Sequence, residues 1–135
     1  KINLTFGSYH TVDSSEMAFK IAGSMAFQKG VMDCQPILLE PIVNIEIEIP
    51  DEYMGDVIGD LNSRRGRVQG MDAKGSNQII KGQVPLAEIL KYAPDLRSMT
   101  SGRGNFTYSH SHYEEVPAFI AEKIIAAYKK DKEEE

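Results

Sequence analysis

The chain has 135 residues, of which 41% are hydrophobic and 26% charged, and its formal net charge is −5 at pH 7. A chain of this size can bury about two-thirds of the surface that its unfolded state exposes, so it can form a core of its own. No apolar run reaches the ~18 residues of a membrane span, so we expect no membrane partner. The single cysteine, Cys34, excludes an intrachain disulfide and fits a reducing compartment.

The first forty residues predict one strand and one helix. Apolar and polar residues alternate over residues 1–9, which predicts a strand. Asp13 and Glu16 have the spacing of a capping box, so a helix is expected to begin near Asp13 and to end at Gly30. Because one strand and one helix cannot enclose a core, residues 1–40 are interpreted as the end of a second domain.

The rest of the chain predicts the order strand, helix, strand, strand, helix, strand, helix. In "IVNIEIEIP" apolar and polar residues alternate, as in a sheet covered on one side only. Later, Pro85 is expected to open a helix with Leu86, Ile89, Leu90 and Ala93 on one face. The order predicts an α+β fold, the ferredoxin-like split βαβ sandwich, over residues 41–129. The acidic segment 130–135 is expected to be disordered.

The last predicted strand leaves two other functions open. Phe106, Tyr108, His110 and His112 are expected to share one face of it. One alternative is a free-standing RNA-recognition module, in which strand aromatics stack on bases, although here they lie on the fourth strand rather than the third. The other is a ferredoxin-like domain that binds metal through His110 and His112, although no carboxylate or thiolate partner is evident.

Five blocks of sequence resemble a known family in their order and spacing. They are "GSYHTVDSSEMAFKIAGSMAF", "LLEP", "GDVIGDLNSRRG", "QVPLAEILKYAPDLRSMTSGRG" and "SHYEEVP". Together they resemble the C-terminal region of bacterial elongation factor G over nearly the whole chain. The resemblance implies that residues 1–40 are the end of domain IV and residues 41–129 are domain V. It also implies a role in moving the transfer RNA–messenger RNA pair through the ribosome, and many members of the family also help to recycle ribosomes.

The resemblance also implies where the chemistry of the family lies. The family is a ribosome-dependent GTPase whose GTP- and magnesium-binding domain is N-terminal to this region. The chain contains no Gly-rich sequence ending in Lys-Ser or Lys-Thr, so it shows no P-loop. We therefore expect no enzyme activity and no cofactor in this fragment, which is expected to be a cytoplasmic monomer.

One expected contact lies near the start of the chain. The resemblance implies that Ser8, Tyr9 and His10 form the tip of domain IV, which enters the decoding region of the small subunit beside the transfer RNA and messenger. An imidazole there can exchange a hydrogen bond with a phosphate or a 2′-hydroxyl, and a tyrosine offers a stacking face. Phe6 stands where the family usually has Asp.

The second expected contact is with the base of the large-subunit stalk and nearby ribosomal RNA. The residues that the resemblance implies are Arg64, Arg65, Arg97, Ser101, Gly102, Arg103 and Gly104. Arginine suits phosphate because its donors form a planar fork, and glycine allows close backbone approach. For Arg97 an internal salt bridge to Asp95 or Glu88 is an equal alternative.

Overall fold

The structure, a computed structural model, describes residues 1–133. It divides into two compact units, of which the first is Lys1–Ile37 and the second begins at Leu38. The predicted domain boundary, between residues 40 and 41, falls inside the first strand of the second unit, which starts at Leu39.

The first unit contains one helix, α1 (Glu16–Asp33), which begins and ends later than predicted. Its N-terminal cap is Ser15, whose hydroxyl accepts a hydrogen bond from the Ala18 amide at 3.1 Å. Asp13 lies in the preceding turn and is not the cap. The helix continues through Gly30, because a glycine inside a helix costs only about 1 kcal/mol relative to alanine.

The predicted strand over residues 1–9 is wrong for this structure. These residues have no regular secondary structure and all are exposed; the side chain of Leu4 is 93% exposed. A strand needs a neighbour for its backbone hydrogen bonds, and no strand within residues 1–133 pairs with this segment. Helix α1 also contains no buried residue, so the first unit has no apolar core of its own.

The second unit is an antiparallel sheet with helices, which confirms the predicted α+β, ferredoxin-like class. The strand order is β2-β3-β1-β4, and each neighbouring pair is antiparallel. The strands are β1 (Leu39–Pro50), β2 (Arg67–Lys74), β3 (Asn77–Pro85) and β4 (Asn105–Glu115). The helices are α2 (Met54–Ser63), α3 (Leu86–Ile89), α4 (Tyr92–Met99) and α5 (Ala118–Glu133).

One face of the sheet carries the core. Alternate residues of β1 are buried, as the sequence pattern predicts, and these are Val43, Ile45, Ile47 and Ile49. Helices α2 and α4 cover them with Val57, Leu61, Tyr92 and Leu96. The intervening side chains of β1 face the open side of the sheet, where Asn44 and Glu46 are exposed.

A helix begins directly after Pro85, as predicted, but the prediction that one continuous helix follows is wrong. Pro85 ends β3, and the helical region is split into α3 and α4. The ring of Pro94 would clash with the carbonyl of Leu90 in a continuous helix, so the helix has to restart within the turn before Pro94. As a result Leu90 is 73% exposed instead of sharing the buried face with Ile89.

Helix α5 contains no buried residue, and its described residues from Glu122 onward are exposed. It extends to Glu133, into the acidic segment for which disorder is predicted; residues 134 and 135 lie outside the described part of the chain. Within residues 1–133 no helix has the length and apolar character needed to cross a membrane.

Candidate functional site

Strand β4 carries an irregularity that separates its two histidines. Val43 pairs with His110 and Ile42 pairs with His112, so Ser111 is an extra residue in β4. An extra residue reverses the alternation of side chains, so the prediction that both histidines share one face is wrong. The His112 imidazole instead contacts the carboxylate of Glu114 at 2.8 Å, and this hydrogen bond holds the pKa of Glu114 below its usual value.

Neither alternative drawn from β4 is favoured by this geometry. Residues 1–133 contain no cluster of three potential metal ligands. Phe106 and Tyr108 pair with Ile47 and Ile45, so they lie on the side of the sheet that carries the core. An RNA-recognition module needs aromatic side chains on the open face, where this sheet has polar groups instead. There, the Gln83 side-chain amide donates to Asn44 Oδ1 at 3.0 Å.

The turn that carries His10 is closed by two reciprocal hydrogen bonds. The His10 amide donates to Ser14 Oγ at 2.7 Å, and the Ser14 amide donates to the His10 carbonyl at 2.9 Å. Asp13, expected to cap the helix, faces His10, with 3.4 Å between its carboxylate and Nδ1. Both side chains are largely exposed, so the imidazole is positioned at the surface.

The two other residues predicted at this tip are also at the surface. Ser8 is exposed, and Tyr9 is 70% exposed. The Tyr9 ring stacks on Phe19 of α1, with 6.5 Å between ring centroids and 18° between the ring planes. Ser14 was not among the predicted site residues, although a serine near a helix start often bonds to the local backbone.

The first of the two arginines at the end of α2 is engaged inside the chain. Arg64 pairs with Asp60 at 2.8 Å and with Asp95 at 2.7 Å, and it donates to the carbonyl of Glu88 at 3.0 Å. Its guanidinium lies 5.0 Å from the ring centroid of Tyr92. Only 20% of the side chain is exposed. The hydrogen bond with Asp60 is the largest of the interactions that raise the pKa of Arg64.

Arg65 is held in a similar way. Its backbone has a positive φ of 60°, and its guanidinium donates to both oxygens of Glu40, at 2.6 and 2.9 Å. Glu88 is a further partner at 3.2 Å. A phosphate could reach Arg64 or Arg65 only by displacing these carboxylates, and the ribosomal contact of both stays a prediction.

The two glycines of the loop after α4 have different roles. A Cβ at Gly104 would lie 2.7 Å from Thr100 Oγ1 and 2.9 Å from Leu96 Cγ, so internal packing requires this glycine. Gly102 has a positive φ of 80°, and apart from its two chain neighbours no residue has a heavy atom within 4 Å of where its Cβ would be. Gly102 therefore faces open space, and it is the loop glycine that another molecule can approach.

Arg103 is anchored to a segment that is distant in sequence. Its guanidinium donates to the carboxylate of Glu52 and to the hydroxyl of Tyr53, and it lies 5.0 Å from the Tyr53 ring centroid. The Tyr53 hydroxyl donates in turn to Ser101 Oγ at 3.2 Å. Glu52 and Tyr53 belong to a short 3₁₀ turn, Asp51–Tyr53, before α2. No local sequence pattern connects them with Arg103, so sequence analysis missed both.

Arg97 is exposed, and within residues 1–133 its side chain makes no ion pair. Asp95 and Glu88, its alternative partners, are used by Arg64 and Arg65 instead. The Arg97 carbonyl accepts a hydrogen bond from the Gly102 amide at 2.8 Å, which ties the loop to α4. The name loop surface is used below for the exposed residues Arg97, Ser101, Gly102 and Arg103.

Comparison with known proteins places the chain in a family. The family model described as Elongation factor G, domain IV matches residues 1–35, and the model described as Elongation factor G C-terminus matches residues 37–124. A crystal structure of a protein from Thermus thermophilus is 45% identical, with a TM-score of 0.75 over 93% of this chain. The chain spans 19% of the length of that protein. The chain thus belongs to the elongation factor G family, and it carries the end of domain IV followed by the C-terminal domain.

Proposed function

We propose that this chain is the ribosome-contacting C-terminal region of a translation factor that promotes movement of the transfer RNA–messenger RNA pair. The observation that carries the proposal is the succession of two matches, to domain IV and then to the C-terminus of elongation factor G. GTP and magnesium would be bound by another domain of the full-length factor, so this region contributes contacts rather than bond-making chemistry. Such a factor acts in the cytoplasm.

The turn around His10 is proposed to contact the transfer RNA–messenger RNA pair in the decoding region. The hydrogen bonds between His10 and Ser14 fix the backbone of the turn before any contact is made. An exposed imidazole can then donate to a phosphate or a 2′-hydroxyl without loop ordering, which reduces the entropic cost of binding. Tyr9 is the adjacent aromatic surface.

The loop surface is proposed to contact ribosomal RNA at the base of the large-subunit stalk. Arg97 is exposed and free of ion pairs within the described chain, and Gly102 leaves space for close approach. Arginine binds phosphate through paired charge-assisted hydrogen bonds. Because such binding releases counterions, the contact should weaken as the salt concentration rises.

The test is the substitution His10→Ala in the full-length factor, compared with wild type in ribosome-stimulated GTP hydrolysis and in single-round translocation. We expect near-normal hydrolysis and translocation slowed about tenfold or more, since one hydrogen bond to a charged group contributes about 1.5–3 kcal/mol. The matched control is Thr11→Ala, which alters the neighbouring exposed residue of the same turn. Normal translocation by the His10 variant would contradict the proposed tip contact.

A further inference from the structure

The surroundings of Arg103 are unusual for a phosphate-binding arginine because they contain more negative than positive charge. Asp51 and Glu52 are both exposed in the 3₁₀ turn, and the Glu52 carboxylate is hydrogen-bonded to the Arg103 guanidinium. The hydroxyl of Tyr53 and then the carboxylate of Glu52 raise the pKa of Arg103. The charge of Arg103 is therefore already paired with a carboxylate within the chain.

Arg97, the other arginine of the loop surface, has no such partner among residues 1–133. A phosphate that approaches Arg97 meets an uncompensated cation. Arg103 Nη2 already donates to Glu52 and Tyr53, so a phosphate that binds two guanidinium nitrogens including Nη2 has to replace the Glu52 carboxylate there. After that exchange, Glu52 is left beside a second anion, and like charges at short distance repel each other.

The exchange is nevertheless feasible because the ion pair is exposed. The side chains of Arg103 and Glu52 are 53% and 60% exposed, and pairs of this kind contribute little to stability. The contacts of the Tyr53 ring and hydroxyl with Arg103 and Ser101 do not involve Glu52, so release of Glu52 does not by itself break them. Tyr53 can thus keep the loop in shape while the carboxylate is exchanged for a phosphate.

We propose that Glu52 competes with RNA phosphate for Arg103, so that Glu52 restrains phosphate binding at the loop surface. This inference rests on the proposed ribosomal contact of that surface. Arg97 attracts any phosphate that comes near it. Arg103 contributes only where the phosphate is positioned to take the place of the Glu52 carboxylate. Glu52 therefore lowers affinity and raises the geometric requirement for a productive contact.

The experiment measures ribosome binding of the full-length factor, held on a non-hydrolysable GTP analogue, at several salt concentrations. The variants are Glu52→Gln, Arg103→Ala and the combination of both. We expect Glu52→Gln to bind about two- to five-fold more tightly at low salt, as expected for removal of one exposed ion-pair competitor. The slope of log affinity against log salt should become steeper by up to about 0.7, because phosphate binding no longer leaves an unpaired carboxylate.

The matched control is Glu46→Gln, which removes the same charge from an exposed glutamate of the open sheet face that forms no salt bridge within the described chain. It should leave both affinity and slope unchanged. Glu52→Gln should gain much less affinity in the Arg103→Ala background than in wild type, because Glu52 acts mainly through Arg103.

The outcomes separate this inference from the proposed function. If Arg103→Ala weakens binding but Glu52→Gln leaves it unchanged or weaker, the competition is absent while the ribosomal contact stands. A gain in the double variant equal to that of Glu52→Gln would show a general charge effect and would also overturn the inference. If alanine at Arg97 and at Arg103 leaves binding unchanged, the loop surface is not a ribosomal contact and both proposals for it fail.

Discussion

The two arginines at the end of α2 and the two around the loop after α4 have the same side chain in different surroundings. Arg64 and Arg65 are 20% and 24% exposed, and carboxylates of four elements, α2, α3, α4 and β1, hold them. Arg103 is 53% exposed with one carboxylate partner, and Arg97 has none within the described chain. A cluster of arginines in the sequence therefore indicates a contact surface only where burial and acidic partners leave the guanidinium available.

The largest expected effect of the difference between these two pairs of arginines is on the free energy of unfolding. We expect Arg64→Ala to lower the free energy of unfolding by about 2–3 kcal/mol, because Asp60 and Asp95 lose their partner in a half-buried setting. Chemical denaturation of the chain, followed by circular dichroism, measures this change.

Arg103→Ala is the matched control for Arg64→Ala, since it removes the same side chain from an exposed position. Its unfolding midpoint should equal that of wild type within error. If the two variants lose equal stability, the distinction between the helix-end arginines and the loop arginines is incorrect.

A smaller effect on the free energy of unfolding is expected for Tyr92, whose ring lies against the Arg64 guanidinium. The Tyr92 hydroxyl is buried and has no hydrogen-bond partner in the described structure, and burial raises its pKa to about 12. Tyr92→Phe keeps the ring face and loses no hydrogen bond, so at neutral pH the free energy of unfolding should change little or rise.

The same substitution has a signature at high pH. In the unfolded chain Tyr92 ionises near its ordinary pKa of 10.0, whereas the folded protein keeps it protonated to about 12. The stability that this difference provides is complete below pH 10 and is lost as the pH rises toward 12. Between pH 10 and 12 the free energy of unfolding of wild type should therefore fall more than that of Tyr92→Phe. A difference that is constant with pH would contradict the burial of an unpartnered hydroxyl.

The parts of the fold that local patterns determine were predictable. Alternation in β1 predicts which residues enter the core, and the order of elements predicts the ferredoxin-like sheet. The absence of a strand over residues 1–9 was not predictable from alternation alone, since a strand forms only where a neighbouring strand completes its hydrogen bonds. The bulge at Ser111 depends on the register between β1 and β4, which alternation within one strand does not reveal.

In the candidate site, too, local features could be predicted from the sequence and long-range contacts could not. The exposed loop and the His10 turn lie where the sequence indicates, because loops are marked by their glycine, serine and polar residues. The partners of the arginines could not be inferred, because Glu52 and Asp95 are more than 30 residues from the guanidinium that each contacts. Long-range ion pairs are set by packing of the whole domain rather than by sequence spacing.

The most direct test of the ribosomal role is the salt dependence of ribosome binding by the full-length factor with Arg97→Ala and Arg103→Ala combined. We expect weaker binding at low salt and a slope of log affinity against log salt that is shallower by about one, because the Arg97 contact is lost while the contact of Arg103 is offset by the release of Glu52. The variant should keep the unfolding midpoint of wild type, so the loss cannot be attributed to misfolding. An unchanged affinity and slope would contradict the proposal that the loop surface contacts ribosomal RNA.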